Sequence, residues 1–314
     1  MEVVKLAVMA APLQGFTDAI WRQAHREVYG TESVSCYFSP FVRIEHGEVR
    51  RKDIADVAVE STRDAKFIPQ IIFRDENEFS LLVESLAQMG FRSVDLNLGC
   101  PFSPQVKHGR GCGALVNPAM LSSVGQKIKT HYRHVSFSVK MRLGVEHPNQ
   151  WRESIEILNG WPLRWLTVHP RTARQQYSGE LYIDEIAAIH ELTSHHLIYN
   201  GDIKSPGDIE RVSKLLPFIS GVMVGRGILM RPSLPSEYAQ GREWDVTERI
   251  GKLMELHEKI MAAYSGKLCG ESQILMKLKP FWEYLESEIG RKAWKAIKKS
   301  RNMPDYRNVV MRIG

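Results

Sequence analysis

From Leu6 to about Leu229, short apolar runs rich in β-formers alternate with amphipathic stretches of helical length. The runs are 6–12, 34–41, 67–73, 93–99, 135–144, 165–172, 196–203 and 221–229. Several are apolar almost throughout, as parallel strands covered on both faces should be. Helices are predicted at 76–90, 118–132 and 205–217, the last opening on Ser205 as N-cap with Pro206 at the first helical position. The weakest unit is the second: residues 42–66 are polar, show no clear core-facing helix and read as an excursion at one end of the sheet. Eight strand–helix units over roughly 225 residues predict an α/β protein, a (β/α)8 TIM barrel. A doubly wound sheet would give the same alternation, and periodicity alone does not separate the two.

After Leu229 the pattern changes. Residues 231–244, RPSLPSEYAQGREW, are rich in turn formers and read as a linker. Helical periodicity then runs nearly to the end and predicts a small C-terminal helical bundle. The expected units are therefore 1–235, a barrel, and 242–314, a helical domain. The chain of 314 residues is 43% hydrophobic and 25% charged, ordinary for a soluble globular protein. Without a membrane-spanning stretch or a secretory leader it is expected in the cytoplasm. Its formal charge of +6 is uneven: from Arg242 onward fifteen Lys and Arg face ten Asp and Glu. The segment RKAWKAIKKSR (291–301) holds six basic residues and no acid. A solvated helix face explains such a run as well as a polyanion partner does, until something else points to nucleic acid. Nothing in the pattern asks for a second copy, so a monomer is expected.

Candidate chemistry collects where the barrel strands end, which is where barrel active sites form. Pro12, Leu13 and Gln14 follow the first strand, Gln70 lies in the third, and Asn97 and Cys100 end the fourth. Lys140-Met141-Arg142 and His169-Pro170-Arg171 end the fifth and sixth. Asn200-Gly201-Asp202 and Gly225-Arg226-Gly227 follow the seventh and eighth; two glycines for close backbone approach and a guanidinium fork suit a phosphate. Lys140 in an apolar run has three readings: a Schiff-base lysine, a structural ion pair, or a cation set against an electron-rich cofactor ring. The four cysteines include no C-x-x-C pair, so neither a metal site nor a disulfide framework is expected. Cys100 differs from Cys36, Cys112 and Cys269 in standing at a strand end before Pro101. As a free thiol it is mostly protonated at neutral pH and can donate a proton without activation. Gly109-Arg110-Gly111-Cys112-Gly113-Ala114 fits the loose dinucleotide pattern, but it begins ten residues past Gly99 and lacks the acid expected about 20 residues on. These glycines read instead as a flexible lid over the thiol.

Taken together, AAPLQGFTD (10–18), Gln70, DLNLGCP (95–101), VKMRLG (139–144), VHPRT (168–172), NGDI (200–203) and VGRG (224–227) resemble the tRNA-dihydrouridine synthases over essentially the whole chain. Two departures are a loop after Cys100 one residue longer than is common there and Pro170 in place of a frequent glycine. The resemblance implies an FMN-dependent oxidoreductase acting on tRNA. NADPH would reduce the flavin, hydride would pass to C6 of uracil, and Cys100 would deliver the proton to C5. It further implies that Pro12, Leu13 and Gln14 line the flavin through backbone groups. Gln70, Lys140 and His169 would bind the ring and ribityl chain, and Asn200, Gly201, Asp202, Gly225 and Arg226 the ribityl and phosphate end. Asn97 and Arg171 would face the uracil, and Lys295, Lys298 and Lys299 would meet RNA phosphates. Three rivals stand beside this reading. A barrel flavoenzyme for a free pyrimidine would not need the basic helical tail, a Schiff-base lyase would use Lys140, and a non-catalytic RNA-binding barrel would not need all of these residues.

Overall fold

A computed structural model describes residues 5–62 and 64–313. Residues 1–4, 63 and 314 lie outside it, and with them the outer ends of both expected units and one residue of the polar excursion. Eight staves form the barrel: β1 (Ala7–Ala10), β2 (Cys36–Phe38), β3 (Phe67–Ile68 and Gln70–Ile71), β4 (Ser93–Leu98), β5 (Ser136–Arg142), β6 (Leu163–His169), β7 (Leu197–Tyr199) and β8 (Gly221–Val224). Seven lie within the expected apolar runs, and β6 begins two residues ahead of the run at 165–172. All pairings are parallel, and β1 pairs with both β2 and β8. The third stave is divided at Pro69, which has no N–H for the ladder. Its first half pairs with β2 and its second with β4, and this closes the sheet. The structure is thus the barrel and not the doubly wound sheet.

Side chains alternate across each stave. Val94, Leu96 and Leu98 of β4, Phe137, Val139 and Met141 of β5, and Leu166 and Val168 of β6 belong to the large core between strands and helices. A second, smaller cluster, Met9, Cys36, Phe38, Ile68, Ile198 and Met223, fills the barrel on the side of the other strands. The alternate residues of β4–β6 are polar: Asp95 and Asn97, Ser138, Lys140 and Arg142, Thr167 and His169. Register pairs Asp95 with Ser138, Asn97 with Lys140, Lys140 with Thr167 and Arg142 with His169. One wall of the barrel interior is therefore polar from its middle to its carboxyl end.

Helices start where short polar side chains cap them. Asp18 accepts from the Trp21 N–H, Asp75 from Asn77 and Glu78, and Asn117 from Met120, while Ser205 and Asp208 form a capping box. The last apolar run overshoots, since only its first four residues are strand and Arg226–Met230 is helical. The excursion at 42–66 contains an antiparallel hairpin (Ile44–Glu45 with Glu48–Val49) and a helix (Arg51–Val57) that does bury Asp53 and Val57. The expected linker is ordered structure. Leu234–Gln240 is a helix with Leu234 to Tyr238 buried, and buried Glu237 gathers Arg231, Ser233 and the Trp244 N–H. Its Tyr238 hydroxyl accepts from the N–H of Leu6, tying this helix to the start of β1.

The C-terminal helices are Val246–Lys267, Glu271–Leu278, Glu286–Ile289, Arg291–Lys299 and Met303–Val310. Val246–Lys267 lies along Ala19–Tyr29, where Tyr264 donates to Asp18 (2.6 Å) and Lys259 pairs with Glu27 (2.8 Å). Phe16 of the barrel meets Tyr284 edge to face at 5.2 Å. Among the described residues no helix is long and apolar enough to cross a membrane.

Candidate active site

At the carboxyl ends of the staves lies a cavity of about 720 Å³, in the range of small-molecule sites. Thirteen of the residues singled out in the sequence line it: Pro12, Leu13, Gln14, Gln70, Asn97, Cys100, Lys140, His169, Asn200, Gly201, Asp202, Gly225 and Arg226. Arg171 does not, and neither do Lys295, Lys298 and Lys299, which stand exposed on the helix Arg291–Lys299.

Cys100 is held from both sides. Asn97 Oδ1 accepts from the N–H groups of Gly99 (3.1 Å) and Cys100 (2.9 Å), and its Nδ2 donates to Gln70 Oε1 (2.7 Å). Gln70 in turn donates to Asp95 Oδ2 (2.7 Å), whose other oxygen accepts from Ser138 (2.5 Å). Asn97 therefore borders the cavity while most of its carboxamide serves the scaffold that positions the thiol. Burial raises the Cys100 pKa, opposed by the Phe102 N–H at the sulfur and by the Arg142 and Lys140 cations. A raised thiol keeps its proton at neutral pH.

The cavity floor is basic. Burial and the neighbouring Arg142 bring Lys140 down to about 8, opposed by Asp95. Among the described residues its ammonium has no hydrogen bond or ion pair. Asp95 is itself pushed up to about 6 by burial. His169 is held well below its ordinary value by burial and by four surrounding cations, Arg142, Lys140, Arg171 and Arg226, so the ring is neutral. Arg171 Nη1 lies 3.5 Å from His169 Nε2. A guanidinium nitrogen only donates, so this contact favours the tautomer with the ring proton on Nδ1.

Arg171 is buried at 3% exposure, and its fork closes on Asp202 at 2.6 and 3.1 Å and on the Gly179 carbonyl. The strand end turns this side chain back behind the rim, outside the cavity lining. Asp202, at φ 41°, also accepts from Arg226 (3.0 Å), so one carboxylate steers two guanidinia. Arg171, first as a hydrogen-bond donor, holds that carboxyl below its usual range. Gly225 is not required by packing, since a Cβ there would meet only Ala11 and Leu13 at ordinary contact distances. Leaving it bare exposes backbone to the cavity beside Arg226. The backbone of Leu13 is committed differently from expectation, its N–H and carbonyl being used in a turn with Phe16 and Thr17. Leu13 nonetheless borders the cavity.

Several lining residues carry no role in the sequence reading, although Arg142 stands among its strand-end residues. Arg142 continues the inward row of β5 and is fixed by the carbonyls of Thr172 (2.9 Å) and Gln176 (2.5 Å). Tyr177 lies under two guanidinia, Arg226 at 4.8 Å and Arg142 at 5.2 Å from its ring centre. Tyr284 reaches the rim from the helical part of the chain. The period-2 alternation of SVKMR turns Arg142, already named at the strand end, to the same side as Lys140; Tyr177 and Tyr284 sit in turns, and nothing in the sequence aims them at the cavity.

The glycine-rich segment is not a flexible lid. A Cβ at Gly111, whose φ is +58°, would lie 2.7 Å from both Cβ and the carbonyl oxygen of Cys100. One at Gly113 would lie 2.4 Å from the Val106 carbonyl oxygen. These glycines exist for close packing. Cys112–Leu115 forms a short helix, the Cys112 N–H reaches the Cys100 carbonyl (3.2 Å), and Arg110 is clamped to buried Glu78 (2.5 Å). Cys112 is fully buried.

A closed barrel whose carboxyl-end cavity brings together a protonated thiol, a buried lysine and two arginines, Arg142 and Arg226, has the make-up of a barrel enzyme. The chain belongs to the dihydrouridine synthase family, whose model matches residues 9–304. It is 28% identical over 263 residues to a probable tRNA-dihydrouridine synthase of Staphylococcus epidermidis, covering 81% of this chain and 77% of that one. It is 26% identical over 244 residues to the tRNA-dihydrouridine(16) synthase of Neisseria meningitidis serogroup B, covering 75% and 72%. Among solved structures, morphinone reductase superposes with a TM-score of 0.50 at 12% identity, covering 76% of this chain and 87% of that one. Histamine dehydrogenase from Rhizobium sp. 4-9 gives 0.52 at 11% identity, covering 81% of this chain and 48% of the other, longer chain. These two likenesses speak to the fold.

Proposed function

We propose that this protein reduces the 5,6 double bond of uridine in tRNA, with FMN as bound cofactor and NADPH as reductant. The observation that carries this reading is the pairing, in one cavity, of a thiol that keeps its proton with a floor of cations. Lys140 has the most to gain from an anionic partner, because its ammonium is largely desolvated and has no acceptor of its own. The residues fit a flavin mononucleotide. Lys140 and Nδ1 of neutral His169 would meet its electron-rich edge, and Arg226 with the bare backbone at Gly225, beside Gly201, its phosphate. The bound flavin would supply the hydride. Cys100 holds the proton that must reach the other carbon of the double bond, and Asn97 fixes the backbone that carries it. Arg171 serves as a positioning residue, setting the His169 tautomer and, through Asp202, the direction of Arg226.

The barrel, residues 1–235, would hold the cofactor, and the helical part, 242–314, would hold the RNA, with Lys295, Lys298 and Lys299 on phosphates. A depressed lysine also suits a Schiff base, but membership of a family of dihydrouridine synthases and the cationic surroundings of Lys140 both weigh toward cofactor binding. The purified protein is expected to be yellow and to release FMN on denaturation. A colourless protein that rejects added FMN would sink the reading, and borohydride trapping of substrate on Lys140 would favour the lyase.

A further inference from the structure

Phe102 is 61% exposed, two residues after Cys100, and lines the mouth of the cavity. Among the described residues it has no ring or cation partner. Its backbone, by contrast, is fixed. The Phe102 carbonyl accepts from Gln105 (2.8 Å) and Val106 (3.1 Å), its N–H points at the Cys100 sulfur, and Gly111 packs directly against Cys100. The result is a rigid platform that holds a bare aromatic ring out of the protein beside the proton donor. Two basic residues line the same cavity, Lys204, which is exposed, and Arg43, which pairs with Glu45 at 3.2 Å.

We propose that Phe102 is a stacking wedge. When the target uridine leaves its place in the folded RNA and enters the cavity, this ring covers the neighbouring base that the departure exposes. The inference rests on the reading of the protein as a tRNA-uridine reductase. Extruding a nucleotide breaks stacking on both of its faces, and proteins that unstack nucleic acid commonly fill the gap with an apolar side chain. Aromatic side chains stack on any base, so the wedge needs no particular neighbour. The backbone order is built in before RNA arrives, so only the ring's own two torsions remain to be fixed on stacking.

The test compares wild type with F102A, F102L and F102W on folded tRNA and on an unstructured oligonucleotide containing the same target uridine, with bound flavin per chain as the folding control. On folded tRNA, kcat/KM for dihydrouridine is expected to fall about ten- to a hundredfold in F102A and nearly as far in F102L, and to be restored in F102W. On the oligonucleotide, where little stacking has to be broken, the loss is expected to be several-fold smaller. F102A within twofold of wild type on folded tRNA would overturn the wedge, as would equal losses on the two substrates. Full activity in F102L would reduce the role to apolar bulk and overturn stacking. A flavin-loaded wild type that forms no dihydrouridine on any tRNA would remove the functional reading itself, and the wedge with it.

Discussion

At the scale of single residues the site is an exercise in keeping protons where they are needed. The Cys100 thiol, raised by burial, is expected to stay protonated through neutrality, so dihydrouridine formation should hold level from about pH 6 to 8 and fall only above the ordinary thiol range near 8.5. A rate–pH profile at saturating tRNA checks this; a decline beginning near pH 7 would mean that the thiolate forms early. Cys100→Ala is expected to keep its flavin and lose about 10²–10⁴-fold in product formation, the usual worth of a positioned acid. Lys140 gives the opposite sign. Its pKa is about 8 when folded against an ordinary 10.5, so its burial destabilises the cofactor-free protein below pH 8, and the penalty fades as pH rises from 8 to 10.5. Lys140→Met should therefore stabilise the cofactor-free protein at pH 7 by something on the order of 3 kcal/mol or less, seen as a higher thermal midpoint, and the advantage should shrink by pH 10. The same variant should bind FMN poorly, and calorimetric melts with flavin titrations separate the two effects. Cys100, Lys140 and Arg226 were legible because a reactive or charged group at the end of an apolar run is costly to bury unless it meets a ligand or partner. Arg171 was misplaced because the sequence does not say which way a side chain turns once the strand has ended.

At the scale of elements, the glycine-rich segment after β4 shows what periodicity misses. Glycine that frees a backbone and glycine that lets two backbones touch look identical in a sequence. Only the closeness of Gly111 to Cys100 separates them. Gly111→Ala would put a Cβ into Cys100 at a positive φ, and is expected to lower stability by about 1–3 kcal/mol and to displace the thiol. A thermal melt and a dihydrouridine assay check both. Unchanged melting and activity would restore the flexible lid. Residues 231–244 were misread for a related reason: Pro and Ser mark turns, yet Pro235 stands in the first turn of a helix, where proline is welcome. The barrel staves were legible because each has to bury its outward face. The polar inner wall of β4–β6 is visible in the same letters, once every second residue is read as facing the other side.

At the scale of the whole molecule, the barrel and the helices after it make one working surface, with Tyr284 closing the rim from the helical side and the basic helix Arg291–Lys299 standing apart from the cavity. Reversing Lys295, Lys298 and Lys299 to Glu is expected to weaken tRNA binding and to flatten its salt dependence, by about 0.7–0.9 in log–log slope for each phosphate left without its lysine. Bound flavin should be unchanged. Equal affinity and slope would place the RNA on another face. Everything proposed for the site depends on these parts together making dihydrouridine in tRNA, and mass spectrometry of nuclease-digested tRNA tests that most directly. Dihydrouridine-free tRNA incubated with the flavin-loaded protein and NADPH should show uridine at defined positions gaining two hydrogen atoms, and Cys100→Ala should abolish the gain. Unaltered uridine with a flavin-loaded, NADPH-oxidising protein across a full set of tRNAs would contradict the proposed function.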